Sequence, residues 1–303
     1  MPAFSLTDAA FEGFRLTRER PRVVAAWALL YGLMGLITAV VMISTVGPQF
    51  SALQAVAQNG GSSDPTETMR QFQKLAPFFA IILPFVLLFW SVLPCAVYRT
   101  VLRPELGGFG RLRFGADEVR MIGLIVLLFM LMVATIFLFS IVVTIGSLVA
   151  GAGGVLAGVV GNLISLTALV AAIGVWIRLS LAGPITFMTG EIHVFRSWSL
   201  TRGHFWPLVA AYALAVSLAV VITLLAMVIF TALAGVYVTA TGGTLAQVGH
   251  VFETNNTSIA AYFTPAQILY QAFFAVLQVV LLAVLLSPAA VIYAALSARP
   301  ADS

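Results

Sequence analysis

The stretch "MIGLIVLLFMLMVATIFLFSIVVTIGSLV", Met121 to Val149, has no acidic, basic or amide side chain. A helix rising 1.5 Å per residue needs about 20 apolar residues to cross a hydrocarbon core of about 30 Å, and this run exceeds that. It is continuous and does not alternate as a barrel strand would, so a helix is the only plausible spanning form. Similar runs lie on both sides: Val23–Val46, Phe78–Val101, Val155–Phe187, Pro207–Ala234 and Ala266–Leu296. Hydrophobic residues make up 61% of the 303-residue chain and charged residues 9%. A soluble domain is about a quarter charged, so most of this surface meets lipid. The reading is an all-α integral membrane protein, with residues 1–303 forming a single six-helix domain.

The third and fourth runs nearly fuse, and "GAGG" (Gly151–Gly154) is the natural break. The first run is too long for a secretory signal core, which spans about 7–15 residues, and reads as an uncleaved first span. Six spans put both termini on one side. Twelve arginines lie at the termini and in the loops of that side, whereas only Arg70 and Lys74 lie on the other. The positive-inside rule then places the termini in the cytoplasm. The net charge of +4 thus reflects membrane orientation, and no nucleic-acid partner is expected. In the outer loops, Asp64-Pro65 with Glu67 and Thr264-Pro265 both read as helix starts. Asn255 to Ser258 matches a glycosylation pattern that is common by chance.

The chain echoes itself. "FEGFRLTR" (Phe11–Arg18) and "FRSWSLTR" (Phe195–Arg202) share F-x-x-aromatic-x-L-T-R, and each leads into a span. "RLRFGADEVR" (Arg111–Arg120) holds the equivalent position before the third span. The even spans carry "SVLPCAVY" (Ser91–Tyr98), "LAGPITF" (Leu181–Phe187) and "LLSPAAVIY" (Leu285–Tyr293), which set Pro94, Pro184 and Pro288 as helix kinks at similar depth. The expected architecture is three helical hairpins, each preceded by an amphipathic segment at the cytoplasmic interface, arranged as parallel repeats.

Candidate sites are few. Arg196, Trp198, Arg202 and His204, with Arg18 in the N-terminal copy, suit lipid headgroups or another anion. The repetition of the pattern favours interfacial anchoring over a single phosphate pocket. Arg178 is the only charge well inside a run, and intramembrane charge points to function by default. Counting from the prolines, it either meets Gln278 or a proline-freed carbonyl, or it snorkels to the surface. Gln271 and Gln278 share a face of the sixth span, with Gln267 one turn above Gln271. No carboxylate sits mid-span, which weighs against ion-coupled transport. His193 and His204 lack zinc spacing, and His250 with Glu253 are two ligands in a loop. No nucleophile elbow or phosphate-cradling loop is present. Neither a catalytic set, a metal site nor a cofactor is expected. Cys95, the single cysteine, reads as a small core hydrophobe. Gly146, Ala150, Gly154 and Gly158 suit close packing of the third and fourth spans.

"SW-x-LTRG-x-FW" (Ser197–Trp206), "FRLTRERP" (Phe14–Pro21) and "YRTVLRPE" (Tyr98–Glu105) resemble a broad family of bacterial inner-membrane proteins. That family is related to the membrane domain attached to some glycerophosphodiester phosphodiesterases, and most of its members have no assigned activity. The resemblance implies the fold, an inner-membrane location and a link to lipids. It does not carry over the phosphodiesterase activity, for which no catalytic domain has room here. The expected function is non-catalytic binding of membrane phospholipid, a membrane partner protein or a second copy of the chain. The alternative is a passive transporter or channel.

Overall fold

The structure is a computed structural model that describes residues 5–58, 69–70, 73–105, 107–151, 154–244, 248 and 258–298. The described residues are helical, without strands. In chain order the helices are α1 (Leu6–Glu19), α2 (Pro21–Gln58), α3 (Ala76–Leu102), α4 (Ala116–Gly151), α5 (Gly154–Leu179), α6 (Ala182–Thr189), α7 (Val194–Leu200), α8 (Phe205–Ala240), α9 (Ile259–Tyr262) and α10 (Pro265–Ser297). A 3₁₀ turn, Phe109–Arg111, precedes α4. Six stretches are long and apolar enough to span a membrane: Pro21–Gly47, Ala76–Leu102, Phe109–Leu148, Gly158–Thr189, Phe205–Ala240 and Pro265–Ser297. This is a multi-pass membrane chain. The sequence-read runs fall inside these stretches, apart from Val149 at the end of the third and residues 155–157 at the start of the fourth. The sequence-read helix start at Asp64, the pair His250 and Glu253, and Asn255 to Thr257 lie outside the described residues.

Two ends can be named without reference to a membrane side. The basic end holds α1, the residue 103–115 loop, α6, α7 and the end of α10. The far end holds α9 and the start of α10. α10 is the hub and touches α1, α2, α3, α6 and α8. Its spanning window is 56% buried, and that of α3 is 50%. For the third and fourth spans the figures are 6% and 0%. So α4 and α5 pack mainly on each other and turn apolar faces such as Phe137, Leu138, Leu163 and Leu166 outward. That composition is stable only where the surroundings are apolar.

α1 is amphipathic in a two-sided way. Ser5 caps it by accepting from the Asp8 N–H at 3.3 Å, which satisfies one orphan donor of the first turn. Ala9, Ala10, Gly13 and Leu16 are buried against α10 and α8, while Phe11 and Phe14 are exposed on its other side. Gly13 allows the approach, because a Cβ there would run into the backbone of Ala283 and Val284. Small residues let helix backbones come this close. α1 therefore joins the two ends of the described chain.

The three proline motifs meet at the basic end. Pro94 and Pro288 lie inside continuous helices. Pro184 does not, because α5 ends at Leu179 and α6 begins at Ala182. Pro184 thus occupies the first turn of a new helix, where its missing N–H costs nothing. The fourth run is broken where the sequence suggested a kink. All three prolines are buried. A Cβ on Gly183 would stand 2.5 Å from the Tyr98 hydroxyl, and the Tyr98 and Phe187 rings lie 6.1 Å apart. At the other break, α4 ends at Gly151 and α5 starts at Gly154.

Candidate functional site

A cleft of about 520 Å³ opens between α2, α3 and α10 in the far half of the bundle. Thr264 and Pro265 set its register. The Thr264 hydroxyl accepts from the Gln267 N–H at 3.2 Å, with Pro265 at the first helical position. That start places Gln267, Gln271, Phe274 and Gln278 on one face of α10, at successive four- and three-residue steps. All four line the cleft, with Tyr31, Met34, Gly35 and Thr38 of α2 and Phe89 and Trp90 of α3. Gly32 and Gly35 bring α2 close to α10, since a Cβ on either would lie 3.6 Å from Ala275 or Gln271. Phe230 of α8 buttresses the wall from behind, with ring centroids 5.4 Å from Tyr270 and 5.7 Å from Phe274. At the far end the short helix α9 covers the cleft. Its Tyr262 is buried with Ala39 and Ile43, and Gln271 Nε2 donates to the Tyr262 hydroxyl at 2.6 Å.

Among the described residues the lining carries three amides and three phenols but no charged or histidine side chain. Gln267 is 3% exposed, and its side-chain oxygen has no hydrogen-bond partner. A buried amide group without a partner costs about 1–3 kcal/mol. Gln278, mid-span, is exposed toward the cleft mouth. Toward the basic end the space closes on Leu93, Ala96, Val97, Val279 and Ala283, all fully buried. Pockets of about 300–1,000 Å³ that are mostly apolar with a few placed polar groups are typical small-molecule sites.

Arg178 lies elsewhere. Its guanidinium stacks between Trp198 and Phe205, with its carbon 5.0 and 5.1 Å from the ring centroids. Its carbonyl, left over at the end of α5, accepts from Ser197 Oγ at 2.5 Å. Helix ends leave such carbonyls unsatisfied, and a cation on aromatic faces is favourable. α5 packs on α4, α7 and α8, whereas Gln271 and Gln278 belong to the α10 cleft. So the structure does not bring Arg178 to the glutamines, and the arginine meets the aromatic segment instead.

The basic-aromatic stretch itself is spread out. Phe195 and Trp206 are each 76% exposed, and Arg18, Arg196 and Arg202 are exposed as well. His193 pairs with Glu191 at 2.8 Å, and the His204 ring nitrogen faces the Arg202 carbonyl at 3.3 Å. Each basic group has local surroundings of its own rather than a shared pocket. Gly13 and Ser197, the matching third residues of the two echoing segments, both seat on a span backbone: α10 for Gly13 and α5 for Ser197.

Sequence reasoning passed over a polar knot at the basic end. Arg99 and Glu118 form an ion pair at 2.6 Å, with side chains 3% and 2% exposed. Glu118 also accepts from the Gly115 N–H at 2.9 Å, closing the first turn of α4 as a capping glutamate does. Arg99 Nη1 donates to the Arg111 carbonyl at 2.7 Å. Arg111 in turn donates to the carbonyls of Arg99, Arg103 and Pro104 at the end of α3. Trp27 Nε1 donates to the Gly110 carbonyl at 2.7 Å. Gly110 sits at φ +56°, where a Cβ would come within 2.6 Å of Ala26. Arg103 lies over the Phe187 ring at 5.0 Å. Only the dipeptide-level clue of a glutamate three residues after a glycine at a helix start hinted at this knot. Cys95 is buried beside it. Among the described residues no cluster of His, Cys, Asp or Glu is arranged to hold a metal ion.

No family model, curated protein or solved structure matches the chain.

Proposed function

We propose that this chain is a non-catalytic integral membrane protein that holds an amphiphilic molecule of the bilayer in the cleft between α2, α3 and α10. The carrying observation is the row of Gln267, Gln271 and Gln278 on one face of a spanning helix, facing a mostly apolar cavity. Polar side chains inside a span are costly and mark binding or transport paths. The closed layer of Leu93, Val97, Val279 and Ala283 favours binding over passive conduction, which needs a continuous path.

The same proposal includes the finer architecture. Each segment preceding an odd-numbered span rests on an even-numbered one: α1 on α10, the Gly115–Glu118 turn on α3, and α7 on α5. This supports three hairpin repeats closed in a ring. The exposed Phe11, Phe14, Phe195 and Trp206 suit phospholipid headgroups at the interface. A cytoplasmic basic end, a bacterial inner membrane and kinship with the membrane domain of glycerophosphodiester phosphodiesterases belong to this reading.

Native mass spectrometry of protein released from nanodiscs tests it. A single retained lipid per chain is the expected result. Solute flux in proteoliposomes with no retained lipid would replace binding by passive transport.

A further inference from the structure

The geometry points to the class of ligand: an amphiphile whose head is uncharged and carries a hydroxyl, of the diacylglycerol or long-chain alcohol type, seated at Gln267. This rests on the reading of the cleft as a lipid site and specifies its head group.

Three observations carry it. First, Gln267 is 3% exposed, lines the cleft, and its oxygen has no partner among the described residues. A hydroxyl both donates and accepts, so it satisfies that amide whichever end faces it. Second, no charged side chain among the described residues lines the cleft. A phosphate or ammonium head there would be desolvated without a counter-charge, which costs far more than burying a hydroxyl. Third, the unpartnered amide stands at the far end of the cleft, although Tyr31 and Gln278 also line it nearer mid-span. Gln267, Gln271 and Tyr262 cluster at the far end beneath α9, and Met34, Phe89 and Phe274 line the wall toward mid-span. A head at Gln267 therefore lets its chain run along the helix toward the hydrocarbon centre, as in a bilayer leaflet.

The test uses the full chain in phosphatidylcholine nanodiscs. Dioleoylglycerol and dioleoyl phosphatidylglycerol, each with a photoactivatable acyl chain, are crosslinked and the labelled peptides mapped. The diacylglycerol probe is expected to label residues 31–42 and 265–278, with competition by unlabelled dioleoylglycerol and none by free glycerol. Gln267→Met should lower that labelling about fivefold, the loss of roughly one hydrogen bond. Its unfolding temperature without added lipid should be equal or higher, because an orphaned amide has been removed. Equal labelling of the cleft by the phosphatidylglycerol probe overturns the head-group inference and leaves the lipid cleft standing. Displacement by glycerol makes the ligand a soluble polyol and overturns both. Absence of cleft labelling by either probe also overturns both, and unchanged labelling of Gln267→Met overturns the role of that residue.

Discussion

The two halves of the bundle differ in how they handle charge. Among the described residues the buried ion pair lies at the basic end and the far cleft is uncharged, while each half also buries an unpartnered polar atom, Thr186 Oγ1 and Gln267 Oε1. At the basic end, Arg99, Glu118, Arg111 and Trp27 are each tied to a named partner, and three proline-bearing segments pack around Tyr98 and Phe187, beside a smaller cavity of about 300 Å³ lined by Pro94, Tyr98 and Gly183. In the far half, Gln267 is buried without a partner and Gln278 opens to a cavity. A membrane protein gains little from moving apolar side chains out of lipid, so packing and hydrogen bonds must hold its helices together. The basic end supplies those bonds. The far half is thereby free to leave a space, which suggests a division between scaffold and receptacle.

The comparison can be broken most forcefully at the ion pair. Arg99→Ala should destabilise by about 3–5 kcal/mol, because it strands the buried Glu118 carboxylate. Thermal unfolding of the purified variant reads this, and Arg99→Met with Glu118→Leu together should recover most of the loss. A single variant as stable as the parent would remove the basic end from its scaffold role. Next comes Gly13→Leu, which forces α1 away from Ala283 and Val284 and should cost about 1–3 kcal/mol of overpacking. Faster proteolysis of α1 in intact proteoliposomes would report the same release. Arg178→Leu removes the stack on Trp198 and Phe205, worth about 1–2 kcal/mol where desolvated, and should shift tryptophan emission. Arg178→Lys should retain part of the effect. Gln271→Leu deprives the Tyr262 hydroxyl of its donor at about 1 kcal/mol, and hydrogen exchange across α9 should rise while the basic end stays protected. The smallest effect belongs to Leu163→Ala on the outward face of α5. There a change within about 0.5 kcal/mol is expected, and a larger loss would mean that α5 has a protein neighbour.

The spans were legible because lipid selects on composition alone, and runs such as Met121–Val149 have no competing interpretation. The start of α10 was legible too, since Thr264 and Pro265 act locally. Which face meets which helix was not. The expected depth of Arg178 came from counting back from Pro184 as if the helix were continuous. The helix ends at Leu179 and restarts, which voids the count and turns the end of α5 toward Trp198. Arg99 was counted among the arginines that mark a membrane side and Glu118 was given no role, because nothing in their separation says that a loop folds back to join them. The glutamine face of α10 was visible as a pattern. The lack of a partner for Gln267 depends on three helices at once, and no single stretch encodes it.

The seat of α1 on α10 also constrains how the molecule is made. Gly13 and Val284 touch across almost the whole chain. At about 5–20 residues per second of synthesis, α1 waits about 15–50 s before its partner exists. During that interval its Ala9–Gly13 face lacks the cover of α10 and has only what the earlier-made α8 supplies. A chain without α10 would therefore leave Gly13 facing lipid or water in place of the Ala283–Val284 backbone.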